Sequence, residues 1–178
     1  MLPKEMPRLE RPPVTLRGFE PRDVPVVISV AGDPLVPLIT TVPTSGRVAD
    51  AEAFIERQHD RLRTGQGYSF AVADSATDEA VGQIGLSVRD LGAGRTTAGY
   101  WVAPAHRRRG YACAALAALT EWAFTLDEVA RLQLYVEPWN EGSWRTAERC
   151  GYQREGLLRS WELVGTERKD MFMYSVVR

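Results

Sequence analysis

Apolar and polar residues in the first third of the chain follow two different periods, which predict a strand followed by helices. Residues Val14–Arg17 alternate between polar and apolar, as expected of a strand. Residues 21–30 predict a short helix, and three prolines between residues 34 and 43 favour a loop after it. Apolar residues recur at nearly helical spacing over residues 47–64, so this segment predicts an amphipathic helix.

The rest of the chain predicts more strands than helices. A dense apolar stripe predicts the longest helix over residues 109–126, and a shorter helix is expected over residues 141–150. Short β-rich runs bounded by turn residues predict strands over residues 68–73, 80–88, 97–102, 131–136, 153–158 and 170–177. This order indicates an α/β (α+β) fold, in which helices pack on both faces of a mixed, mostly antiparallel twisted sheet. Residues 1–13, with four prolines, are expected to form an extended leader, and residues 14–178 a single domain.

Composition and charge exclude several classes of protein. The chain of 178 residues carries 22 basic and 23 acidic side chains, a net charge of −1, which argues against a nucleic-acid-binding protein. Two cysteines and two histidines form no ligand pattern, so no metal is expected. The apolar run over residues 111–124 is too short to cross a bilayer, and the N-terminus lacks the apolar stretch of a signal peptide. We therefore expect a cytoplasmic protein with no membrane partner.

The most informative segment joins the strand that ends at Val102 to the longest helix. Three arginines, Arg107–Arg109, and Gly110 stand just before that helix. A helix N-terminus presents unpaired N–H groups and partial positive charge, which suits an anion. The small residues Gly110 and Ala112 would let the backbone approach a pyrophosphate closely. The alternatives are a solvated helix start and a basic patch for nucleic acid.

Four motifs in order resemble the GNAT superfamily of N-acetyltransferases. Arg107-x-x-Gly110-x-Ala112 is similar to the family signature Q/R-x-x-G-x-G/A, and the preceding Gly-Tyr-Trp-Val-Ala-Pro is similar to its fourth strand. Asn140-x-x-Ser143, with the later Gly-Tyr pair, is similar to a downstream element, and Gly156-Leu-Leu-Arg to a common tail. The resemblance extends from about Val14 onwards. It is strongest to the Rim-type N-terminal acetyltransferases of ribosomal proteins.

The resemblance implies that acetyl-CoA is the co-substrate, with no metal. Its pantetheine arm would lie beside Trp101 and Val102, where the central strands splay apart, and Asn140 would hydrogen-bond it. The pyrophosphate would lie on the loop before the helix. The residues implied in cofactor binding are Trp101, Val102, Arg107, Arg108, Arg109, Gly110, Tyr111, Ala112, Asn140 and Ser143.

The resemblance also implies catalytic roles for three residues. Glu162 would act as the base, directly or through water, although a surface glutamate between two strands is the alternative. Ser143 would assist the leaving thiolate, although it could instead start the helix as an N-cap residue. The Val102 amide would stabilise the oxyanion of a tetrahedral intermediate. We also expect Trp161, beside Glu162, to form a wall of the acceptor site.

The acceptor is expected to be a primary amine, and the subgroup favours the α-amine of a protein or peptide N-terminus. Small amines, antibiotics and another acyl-CoA donor remain alternatives, as does a non-catalytic CoA-binding or regulatory module. Residues 36–64 are expected to line the acceptor side. A homodimer that pairs through the last strand is a further expectation.

Overall fold

The computed structural model describes residues 2–178 and contains one continuous sheet flanked by helices. Within that range its strands are β1 (Leu9–Arg11), β2 (Val14–Arg17), β3 (Gly67–Asp74), β4 (Ala80–Ser87), β5 (Arg95–Val102), β6 (Arg131–Val136), β7 (Gln153–Val164) and β8 (Glu167–Val177). The helices are α1 (Val24–Ser29), α2 (Val36–Ile39), α3 (Val48–Arg63), α4 (Tyr111–Ala123) and α5 (Glu141–Arg149). None of the helices within residues 2–178 combines the length and apolar character needed to span a bilayer.

The strands lie in the order β1-β2-β3-β4-β5-β6-β8-β7. Neighbouring strands are antiparallel except β5 and β6, which are parallel. The prediction of a mixed, mostly antiparallel sheet is therefore confirmed. The parallel pair at the centre is the point where the sheet opens.

Two apolar cores lie on opposite faces of the sheet, as predicted. On one face α4 packs Leu116 and Leu119 against strand residues such as Phe70. On the other face α1 and α3 pack Val27 and Phe54. The two sides of each central strand therefore face different helices.

The N-terminal third differs from the prediction in two places. Leu9–Arg11 of the expected extended leader pairs with β2, and the Tyr68 hydroxyl donates to the carbonyl of Pro3 at 2.7 Å. The segment expected to be a loop contains α2, whose start Asp33 caps by accepting from the amides of Leu35 and Val36, both at 2.9 Å. Proline at a first helical turn is compatible with the helix, because that N–H has no intrahelical partner.

The C-terminal hairpin is longer than predicted. β7 extends to Val164, so Glu162 lies in a strand and not in a loop. In the backbone register of the hairpin, Glu162 stands opposite Lys169 of β8. β8 lies between β6 and β7, and both its edges are paired over residues 172–175. This stretch of the last strand therefore has no edge for a second copy, and the homodimer stays a prediction. The open edge on this side belongs to β7.

Candidate functional site

The central strands β5 and β6 separate partway along their length. They pair only from Arg95 to Thr97 on β5 and from Arg131 to Gln133 on β6. Beyond these residues β5 continues to Val102 and β6 to Val136 without pairing to each other. The splayed strands predicted from the resemblance are present, and the gap leaves backbone groups of both strands open to a ligand.

The gap opens into a cavity of about 320 Å³. Gly85 of β4 and Gly99 of β5 are direct partners across the sheet and so face the same side. Because neither carries a side chain, the sheet has a depression here, which forms the floor of the cavity. The roof comes from residues 35–41 and from α3, so the expected acceptor-side segment does line it.

The backbone of Val102 is oriented toward the gap. The next amide, that of Ala103, donates to the carbonyl of Val81 at 2.9 Å on the β4 side. Successive amides in a strand point to opposite edges, so the Val102 N–H points away from β4. The same alternation directs the backbone of Trp101 to β4, so Trp101 reaches the cavity through its indole ring.

The loop before α4 contains two residues in the left-handed backbone region. Arg108 has φ +65° and Gly110 has φ +82°, both in the left-handed region. Within residues 2–178, no side chain caps the start of α4, so its first amides are free for a ligand.

The arginines of this loop divide into two groups. Arg108 and Arg109 are exposed beside the helix start. Arg107 donates from Nε to the carbonyl of Val102 at 2.9 Å and from Nη2 to Asp33 at 2.6 Å. Its guanidinium group therefore holds the loop in place, and the role of residues 107–109 in binding the pyrophosphate stays a prediction. Ala112, in the first turn of α4, adds no bulk there.

Tyr111, the first residue of α4, donates from its hydroxyl to Asp74 at the end of β3. This hydrogen bond fixes the helix start against the sheet. The side chain of Tyr111 is buried, and its contribution to the loop is to anchor the start of α4. Its backbone amide is one of the free first-turn groups.

Glu162 lines the cavity because β7 is bulged. The pairing of β7 with β8 shifts between Leu158 and Glu162, and Ser160 there has φ +51°. The Ser160 amide donates to Asp170 at 2.7 Å, which fixes the bulge. Trp161, expected to form a wall of the acceptor site, is not among the residues that line the cavity, but it packs on the cavity residue Tyr135 with ring centroids 5.5 Å apart.

Asn140 and Ser143 also line the cavity, at the start of α5. The Asn140 side chain caps this helix by accepting from the Ser143 amide at 3.2 Å. The alternative that Ser143 itself is the N-cap is therefore wrong. The Tyr100 hydroxyl donates to the Ser143 carbonyl at 3.0 Å and lies 3.1 Å from Ser143 Oγ.

Sequence reasoning missed Tyr100 as a site residue. It stands on β5 beside the gap, and burial raises the pKa of Tyr100 to about 12. The phenol therefore stays protonated at neutral pH and can donate a hydrogen bond beside Ser143. The signal available was its position two residues before Val102 in the fourth-strand motif.

A buried polar network under the cavity was also missed. Trp101 Nε1 donates to Gln83 Oε1 at 2.6 Å, and Gln83 Nε2 donates to Ser69 at 2.7 Å and to Gln58 at 2.9 Å. Gln58 in turn donates to the Phe54 carbonyl at 2.9 Å. The network joins α3 to three strands and fixes the cavity floor. Nothing in the local sequence distinguishes these glutamines from surface residues.

The predicted residues thus occupy two adjoining places. Trp101, Asn140, Ser143 and Glu162 line the cavity, whereas Val102 and residues 107–112 lie where β5 ends and α4 begins. Among residues 2–178, no three His, Cys, Asp or Glu side chains are grouped so as to hold a metal ion. The site therefore combines an uncapped helix start, an open strand edge and a carboxylate.

This combination defines a class of acyl-transfer enzyme, and comparison with known proteins assigns the family. The model of the acetyltransferase (GNAT) domain family matches residues 14–153. The chain belongs to this family of N-acetyltransferases, so the suspected resemblance is confirmed.

Individual relatives agree with this assignment. The uncharacterized N-acetyltransferase p20 from Bacillus licheniformis is 30% identical over 165 residues, which cover 93% of each chain. The structure of Mycobacterium smegmatis RimJ in complex with CoA-disulfide is 25% identical with a TM-score of 0.81, covering 97% of this chain and 86% of that one. RimL, a ribosomal L7/L12 alpha-N-protein acetyltransferase solved with coenzyme A, is 15% identical with a TM-score of 0.81, covering 96% and 98%. The RimL match shows that the fold is shared.

Proposed function

We propose that the protein transfers an acetyl group from acetyl-CoA to the α-amine of a protein or peptide N-terminus. The observation that carries this proposal is the unpaired length of β5 and β6, which opens into a cavity lined by Glu162 and Ser143. Family membership supports the reaction class. The structures of RimJ with CoA-disulfide and of RimL with coenzyme A support acetyl-CoA as the donor.

The donor would bind along the open edge of β5. Its pyrophosphate would accept hydrogen bonds from the amides of residues 108–112, with charge from Arg108 and Arg109. Its pantetheine arm would lie in the gap like an added strand, with Asn140 near it. This pose brings the thioester carbonyl to the Val102 amide.

Transfer would proceed by direct attack of the amine nitrogen on the thioester carbon. Glu162 accepts the amine proton, directly or through one water. The Val102 N–H stabilises the oxyanion that forms. The carbon–sulfur bond then breaks, and the Ser143 hydroxyl passes a proton to the thiolate while it takes back the proton that the acetylated nitrogen loses as the amide forms. Tyr100, hydrogen-bonded to Ser143, keeps that hydroxyl in position.

Release of free thiol from acetyl-CoA in the presence of a peptide panel tests this proposal. We expect turnover with at least one free N-terminus and none with the same peptide acetylated beforehand. Tight binding of coenzyme A without turnover on any peptide or small amine would contradict the proposal and favour a binding module. Turnover on small amines alone would contradict the proposed acceptor, a protein or peptide N-terminus, while the acetyl-transfer reaction would stand.

Glu162→Gln should lower kcat by about 100-fold or more, because removal of a general base typically costs that much. The defect should narrow above about pH 8, where α-amines lose their proton without help. Affinity for coenzyme A should not change. Glu167→Gln, in the same hairpin but outside the cavity lining, with its carboxylate in an ion pair with Lys169, is the matched control and should retain full activity. Equal rates for Glu162→Gln and the wild type would remove Glu162 from the mechanism.

A further inference from the structure

Arg61 is a cation in the cavity that the reaction described above does not use. It lies near the end of α3, and its Nη1 is 3.9 Å from the position that a Cβ at Gly85 would occupy. The guanidinium group is thus above the glycine floor, in the same cavity as Glu162.

Within residues 2–178, Arg61 differs from Arg57 and Arg63 on the same helix in having neither a hydrogen-bond nor an ion-pair partner. Arg63 pairs with Asp60 and Glu56, and Arg57 donates to the Thr41 carbonyl at 3.0 Å. In the part of the chain that the structure describes, no carboxylate pairs with Arg61, and burial alone lowers its pKa. The guanidinium group nevertheless stays charged at neutral pH.

The carboxylates that share the cavity are already placed elsewhere. Glu137 accepts from the Trp139 indole at 2.8 Å, and Glu162, on β7, forms no ion pair with Arg61. A partly buried cation without a partner loses hydration that nothing in the protein replaces. An incoming carboxylate would replace it, and the two-pronged donor of arginine matches a carboxylate in shape.

We propose that the acceptor carries a carboxylate, which Arg61 binds while the amine reaches Glu162 and the thioester. This inference rests on the proposed function. Two sources share the chemistry: an acidic side chain next to a peptide N-terminus, and the α-carboxylate of a free amino acid. Arg61 is then a specificity-determining residue for the acceptor, with no part in binding the donor.

Paired acceptors test the proposal. One arm compares C-terminally amidated peptides with Asp or Glu at the second position against the same peptides with Asn or Gln. The other arm compares free amino acids with their amides. The wild type should favour the acid in one arm by about 10-fold or more in kcat/KM, the size of a charge-assisted hydrogen bond. The arm that shows the preference identifies the source of the carboxylate.

Arg61→Met should abolish this preference, because kcat/KM for the acid falls while kcat/KM for the amide stays within about two-fold of the wild-type value. Arg61→Lys should retain part of the preference, since the charge stays and the paired geometry is lost. The KM for acetyl-CoA should not change in either variant. Arg63→Met is the matched control and should keep the wild-type preference. Arg63 lies two residues further along α3, outside the cavity lining, and forms an ion pair with Asp60.

Equilibrium binding of the same pairs to the coenzyme A complex gives a readout independent of turnover. Wild-type protein should bind the acid more tightly, and Arg61→Met should not. No preference for acids in the wild type, or a preference that survives Arg61→Met, would overturn this inference while acetyl transfer stands. Selective binding of acids without any turnover would instead contradict the proposed function and keep the role of Arg61.

Discussion

Arg107 occupies the first position of the family signature, yet its side chain forms hydrogen bonds with other groups of the protein. It joins the Val102 carbonyl to Asp33, which itself caps α2. Two elements that border the site, the loop before α4 and the roof of the cavity, are thereby held by one ion pair. Motif membership located this residue, whereas its partner 74 positions away was not readable from the sequence.

Asp33→Ala should lower the free energy of unfolding by about 1–2 kcal/mol at pH 7, the usual cost of a lost cap. Burial raises the pKa of Asp33, but the amides of Val36 and Leu35 and the Arg107 ion pair outweigh burial and hold the pKa below its ordinary value. The stabilisation is therefore complete above the unfolded pKa of about 4 and is lost as pH falls through the lower folded value. Urea unfolding at neutral and acidic pH measures this, and a variant deficit that stays constant with pH would contradict it.

Strands β4 and β5 show how an element can shape a site by what it leaves out. Gly85 and Gly99 are paired on the face that meets α3, while the opposite face of both strands is filled by α4. A strand glycine normally weakens a sheet and often marks a close approach by another group. Here the paired glycines create the space in which donor and acceptor would meet.

Gly99→Val should block the cavity while the fold persists. A Cβ at Gly99 meets no atom within 4 Å, so the substitution adds bulk to the cavity without a clash. We expect kcat/KM for the amine to fall by about 10-fold or more, an effect on the scale of filling a pocket by two or three methyl groups. Gly156→Val, also a strand glycine with open space, is the control. Unchanged kinetics in Gly99→Val would show that acceptors do not enter over this floor.

At the scale of the molecule, one sheet serves two cores and one site. α4, with the arginine loop at its start, packs on one face, and α3 carries Arg61 and Gln58 on the other. The polar network from Gln58 to Trp101 ties α3 to the strands beneath it. The two faces should therefore lose their structure together.

Phe54→Ala and Leu119→Ala, one in each core, test this coupling. Both side chains are completely buried, and each substitution should destabilise the protein by about 3–5 kcal/mol. Each variant should show one unfolding transition, with a lower midpoint and the slope of the wild type. The measurement is denaturant unfolding followed by both tryptophan fluorescence and circular dichroism. Transitions that separate between the two probes would mean that the faces unfold independently.

Strand and helix positions were readable because their apolar periods are local and strong. Val14–Arg17 and Arg131–Val136 match the predicted bounds, and the helix over residues 47–64 is observed as Val48–Arg63. α2 was missed because the cap from Asp33 and the ion pair between Asp33 and Arg107, not a periodic pattern, stabilise it. The length of β7 was missed because its residues are largely exposed and its pairing depends on β8.

By itself, the sequence determined the fold class, the loop before α4 and the set of candidate residues, because periodicity and ordered motifs are encoded over short distances. The tertiary structure alone decided where the backbone groups point, which arginine is held by Asp33, and that Gly85, Gly99 and Arg61 enclose one space with Glu162. These facts depend on strand pairing and on contacts between distant segments. No local pattern of residues carries that information.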